Sequence, residues 1–123
     1  MSDERVNIIK LPDGKFSVYD KWCGIYFITD NTDNIMEQIH KEALKKYRGA
    51  WLLTEGEEDV VQTENDAVGL AGLIQNAEFK REIKSDEDYF WERCEEFELC
   101  PKDIISMTEY NWNNKFYYVV FRH

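Results

Sequence analysis

Two runs of carboxylates are the residues in this chain most able to do chemistry. Glu55, Glu57, Glu58 and Asp59 fall within five positions, and Asp86, Glu87, Asp88, Glu92, Glu95, Glu96 and Glu98 follow within a stretch of thirteen. Carboxylates grouped in this way suit a basic protein surface, where they stand in for phosphates, or a divalent cation in a hydrolytic site. If the second run is helical, Asp88, Glu92, Glu95 and Glu96 lie at three- and four-residue spacing. Such like-charged neighbours repel by a few tenths of a kcal/mol per pair. Glu95, Glu96 and Glu98 would also sit at the negative end of the helix dipole, so capping accounts only for the acids at the start. The candidate partner-binding set is therefore Glu55, Glu57, Glu58, Asp59, Asp88, Glu92, Glu95 and Glu96. The plainer account of the same residues is a solvated face that keeps a small protein soluble.

Other chemistries find less to stand on. Glu37 and His40 have the spacing of a carboxylate-bridged di-iron pair, but that centre needs a second such pair, and the one other histidine is His123. Cys23, Cys94, Cys100, His40 and His123 can be assembled on paper into a zinc site, yet no two cysteines stand at Cys-x-x-Cys spacing. Neither histidine has an evident nucleophile beside it, and no Gly-x-Ser-x-Gly is present. Gly69 and Gly72 lie inside a helical pattern without the lysine of a phosphate loop. The sequence calls for no cofactor, no metal and no catalytic residue.

Charge and composition bound the rest. The chain has 123 residues, 15 basic and 25 acidic, for a net charge of −10. Residues 1–54 are balanced at eight of each sign, whereas residues 55–109 hold five basic against seventeen acidic. This asymmetry speaks against nucleic acid or an anionic membrane as partner and favours a basic protein surface. Three cysteines without framework spacing suit reduced thiols. No run approaches the ~20 apolar residues of a bilayer span, and residues 1–5 lead into no apolar signal-peptide core. The expected location is the cytoplasm.

Local patterning supplies the elements that must position these residues. Residues 6–11, 15–20 and 25–29 read as three strands of an antiparallel meander, with Pro12-Asp13-Gly14 as the first turn. Residues 34–48 read as a helix capped by Asn34 and Glu37, with Asp33 as an alternative cap, and with Ile35, Met36, Ile39, Ala43, Leu44 and Tyr47 at helical intervals. A strand at 50–54 leads into an acidic turn at 55–59, with residues 60–62 pairing back. Thr63 and Asp66 open a second helix, and Ser85 with Asp88 a third that runs to about Glu98 and stops before Pro101. Residues 104–112 and 115–121 form a hairpin about Asn113-Asn114, and the last strand, aromatic and β-branched, belongs near the middle of a sheet. Phe27, Ile39, Leu44, Phe116, Tyr118 and Val120 are the expected core.

These readings combine into one α+β domain over residues 1–123, an antiparallel sheet of about five or six strands with two or three helices packed on one side. The function expected is that of a non-enzymatic acidic binding protein. It would act as an inhibitor that engages a basic surface of a nucleic-acid-handling or defence protein, in the manner of immunity proteins and phage counter-defence proteins. The competing expectation is a small metal-assisted hydrolase or nucleotide-binding enzyme built on converging carboxylates.

Overall fold

The computed structural model describes residues 5–123, and the polar segment at residues 1–4 lies outside the described residues. The fold is α+β, with three α-helices and two antiparallel sheets of three and five strands. The chain divides into two compact units, Met1–Arg48 with Gln62–Asn76 and Gly49–Val61 with Ala77–His123. The strands that the sequence suggested for one sheet are thus shared between two, one in each unit.

In the first unit, β1 (Val6–Lys10), β2 (Phe16–Asp20) and β3 (Ile25–Thr29) form the expected meander in the order β1-β2-β3. Its register puts Val18, Asp20 and Ile25 on one buried face and Ile9, Tyr19, Tyr26 and Ile28 on the other, which is exposed. Helix α1 (Ile35–Tyr47) buries the stripe Ile39, Ala43 and Tyr47. Its expected cap does not form, because Asn34 takes a left-handed conformation at φ 52° that turns its side chain from the first-turn N–H groups. Gln38 Nε2 instead ties the entry loop by donating to the carbonyls of Asn31 and Asp33.

Helix α2 (Glu64–Asn76) begins as read from Thr63 and Asp66. The Asp66 carboxylate accepts from the N–H groups of Gln62 and Thr63 while the Thr63 hydroxyl accepts from the Asp66 N–H. These bonds hold the Asp66 carboxyl below its usual range. The close neighbour of Gly72 is a ring and not a backbone: a Cβ there would lie 3.1 Å from Trp22 Cζ3.

The second unit comprises β4 (Trp51–Thr54), β5 (Glu57–Val60), β6 (Glu78–Glu82), α3 (Asp88–Glu96), β7 (Ile104–Trp112) and β8 (Lys115–Arg122). The sheet order is β5-β4-β8-β7-β6, so β8 is central, as its composition required. Asn113 and Asn114 both take positive φ, at 54° and 64°, and close the β7–β8 hairpin in two residues. Leu53, Ile83, Phe90, Cys94, Met107, Tyr118 and Val120 form the core beneath α3.

Several expectations need correction here. The third helix is shorter than residues 85–98, since Glu87 is its N-cap and Phe97 its C-cap. Strand β6 was not foreseen, because Glu78, Lys80, Arg81 and Glu82 leave no apolar alternation to read. Phe116 is exposed beside the turn of the β7–β8 hairpin, whereas Tyr118 and Val120 two and four residues on are buried. Phe27 and Leu44 are only partly buried.

Candidate functional site

The acidic run after β4 is a strand. Glu55 and Gly56 alone make the turn, with Gly56 at φ 80°, and Thr54 already pairs with Glu57. Strand alternation then sets Glu57 and Asp59 on one face and Glu58 on the other, level with Leu53 on the face that α3 covers.

On α3 the core residues Phe90, Cys94 and Phe97 define the inward direction. At about 100° per residue, Asp88, Glu92 and Glu95 fall within roughly 60° of one another on the opposite, solvent side. Glu96 lies to one flank, where it pairs with Arg93 Nη1 at 2.6 Å. The helix closes in a Schellman arrangement: the Glu98 N–H donates to the Glu95 carbonyl at 3.3 Å and the Leu99 N–H to the Cys94 carbonyl at 2.8 Å. The left-handed residue of that motif is Glu98, at φ 56°, where glycine is the usual occupant.

This geometry brings part of the acidic set together. Glu57, Glu58, Glu96 and Glu98, with Gly56 and Phe97, line one open groove of about 360 Å³ that contains no basic residue. Among the described residues, Glu57, Glu58 and Glu98 make no ion pair. Glu55 lines a neighbouring groove together with Arg93, Glu96 and Lys115. Asp59, Asp88, Glu92 and Glu95 are exposed and line neither groove. Glu98 and Phe97 were outside the residue set read as partner-binding; the backbone reversal that turns them into the groove has no glycine to announce it.

A part-buried polar cluster lies between α3 and the sheet. Tyr89 donates its hydroxyl proton to Glu109 Oε2 at 2.6 Å, so Tyr118, 2.7 Å away, is the donor in the second bond. The Arg81 and Arg93 guanidinium groups lie over the Tyr89 ring at 4.6 and 4.8 Å. Burial, reinforced by the bond to Glu109, raises the Tyr89 hydroxyl far above its ordinary range. The cluster follows from register: Arg81, Glu109, Tyr118 and Leu53 are successive cross-strand partners on the face toward α3. It fixes α3, and with it Glu96 and Glu98, against the sheet.

Among the described residues no His, Cys, Asp and Glu side chains are grouped to hold a metal ion. The three cysteines are free: Cys23 and Cys94 are buried and Cys100 is exposed. Burial raises the Cys23 thiol to about 11. Glu37 bonds Lys41 on the surface of α1. No described helix is long and apolar enough to cross a membrane. Comparison of the chain with protein-family models, with curated proteins and with solved structures finds no match in any of the three.

Proposed function

We propose that the second unit binds a basic protein surface through the groove between β5 and the C-terminus of α3. The observation that carries this reading is convergence: four acidic residues from two separate segments line one groove with Phe97 and no basic residue. The unit around it is acidic throughout, with seven basic and fifteen acidic residues for a net charge of −8, against −2 for the first unit. Such a field steers a positively charged partner toward the groove and speeds encounter. The partner class is a cytoplasmic nucleic-acid-handling or defence protein, whose phosphate-binding cations the carboxylates would occupy, so that the chain acts as an inhibitor and not as an enzyme.

Glu98 supports the same reading. A non-glycine residue in the left-handed region costs about 1 kcal/mol, and an anion at a helix C-terminus adds a few tenths more. A carboxylate held there at the expense of the fold suits binding better than solubility, which any surface position serves.

The test compares two sets of substitutions on one captured partner. Glu57→Gln, Glu58→Gln and Glu98→Gln together remove the unpaired groove charges; Glu92→Gln with Glu95→Gln removes charge from the solvent stripe. Stopped-flow association should be slowed about tenfold or more by the first set, with a weaker salt dependence, and far less by the second. Equal effects of the two sets would reduce the groove to general acidity, and no effect of either would remove the proposal.

A further inference from the structure

We propose that the outer edge of β1 pairs with the same edge of a second copy of this chain, antiparallel and centred on Ile8. The hydrogen-bond phase of the meander shows which groups are free to do so. The Leu11 N–H donates to the Lys15 carbonyl and the Lys21 N–H to the Arg5 carbonyl. Residues opposite one another in an antiparallel pair alternate between bonded and non-bonded. Arg5, Asn7, Ile9 and Leu11 therefore direct their N–H and C=O groups at β2, and Val6, Ile8 and Lys10 direct theirs outward. Sheet pairing satisfies β1 on one side only, among the described residues. Asn7, Ile8, Ile9 and Lys10 are exposed on both faces of the strand.

Among the described residues, Lys10 alone on this edge discourages pairing. Natural edge strands are usually blunted by charge, proline or bulges. β1 has one charged residue and neither of the other devices, and the open face beside it carries Ile9, Tyr19, Tyr26 and Ile28 without a charge. Tyrosine and exposed isoleucine on one sheet face are the composition of an interface centre.

Charge and symmetry select a second copy as the occupant. In a two-fold pair centred on Ile8, Ile8 faces Ile8 of the other copy and Lys10 faces Val6. All three outward N–H groups and all three outward carbonyls of each strand are then satisfied. Centring the pair on Lys10 would oppose two lysines, so the register is fixed. The first unit has a net charge of only −2 against −8 for the second, so less like charge opposes pairing between its own surfaces. Two five-residue strands cover less than the ~800 Å² per partner of a standard interface, so the dimer is weak and concentration-dependent.

Sedimentation velocity from about 10 µM to about 1 mM, in low and high salt, reads the association directly. Monomer at the low end and dimer at the high end are expected. Ile8→Pro separates the edge from the fold: the Ile8 N–H takes no part in the β1–β2 ladder, so proline leaves that ladder intact and removes the central intermolecular donor. This variant should keep its melting temperature and lose the dimer. Ile8→Cys in a Cys100→Ser background supplies the positive signal, since bonded antiparallel partners lie about 5.5 Å apart at Cα, within disulfide range. Mild oxidation should link it as a dimer at high concentration. A chain monomeric throughout, whether or not its edge takes up an extended peptide from another protein, overturns the proposal. So does a dimer that Ile8→Pro leaves intact.

Discussion

The outer strands of the five-stranded sheet, β5 and β6, carry seven charged residues; those of the three-stranded meander, β1 and β3, carry one. Both sheets are antiparallel and both leave a strand edge in water, yet only the larger one guards its edges. On β5 the same charges do two things. Glu57 and Glu58 blunt the edge and line the acidic groove beside α3. The meander has its charge buried instead, in Asp20, which accepts from Arg5 Nε and Nη2 at 2.8 Å each and from the Trp22 N–H at 2.9 Å. The contrast separates two uses of a carboxylate: held by partners inside one unit, left without them in a groove of the other.

The largest expected effect lies in the acidic unit's core. Leu53 is fully buried between β4's neighbours and α3, so Leu53→Ala should cost about 2–5 kcal/mol in urea denaturation. The chain passes between the two units three times, and the single-domain reading expects one transition; a second, unaffected transition would make the units independent. Tyr89→Phe comes next. It leaves the Glu109 carboxylate buried with Arg81 Nε at 3.9 Å as its remaining cation, and should cost about 1.5–3 kcal/mol. A negligible loss would mean that the tyrosine cluster does not anchor α3.

Acid titration addresses the buried carboxylate of the other unit. Burial alone would raise the Asp20 carboxyl, but the Arg5 guanidinium, the Trp22 N–H and Cys23 together outweigh it and hold it below its usual range. The folded state therefore binds this proton less readily than the unfolded one. Ionised Asp20 stabilises the fold above the unfolded value near ~4, and the contribution disappears as pH falls through the lower folded value. Trp22 fluorescence followed from about pH 6 to pH 2 should show wild type losing stability toward that of Asp20→Asn. Parallel acid curves for the two proteins would contradict the assignment.

Much of this was legible in the sequence wherever two signals agreed. The meander joined strand alternation to turn residues at Pro12, Asp13 and Gly14, and α2 joined an apolar stripe to a capping pair at Thr63 and Asp66. β8 was placed at the centre of a sheet by its side chains alone. What stayed hidden depends on long-range partners. β6 is a strand only because β7 pairs with it, and its charged residues give no period of their own. The acidic segment after Thr54 read as a turn because its strand character comes from pairing across Gly56. The candidate residues were found as a composition, but their division into groove and solvent stripe required the pitch of α3 and the left-handed turn at Glu98, neither of which a carboxylate announces.

The central claim is that the groove keeps its carboxylates at some expense to the fold, and Glu98→Gly tests it in one protein. Glycine relieves the left-handed strain and removes an anion from the negative end of α3, so the variant should be more stable by about 1 kcal/mol in urea denaturation. The same variant should associate more slowly with the captured basic partner than wild type does. A gain in stability with slower association is the predicted result; unchanged association would show that Glu98 lines a groove that binds nothing.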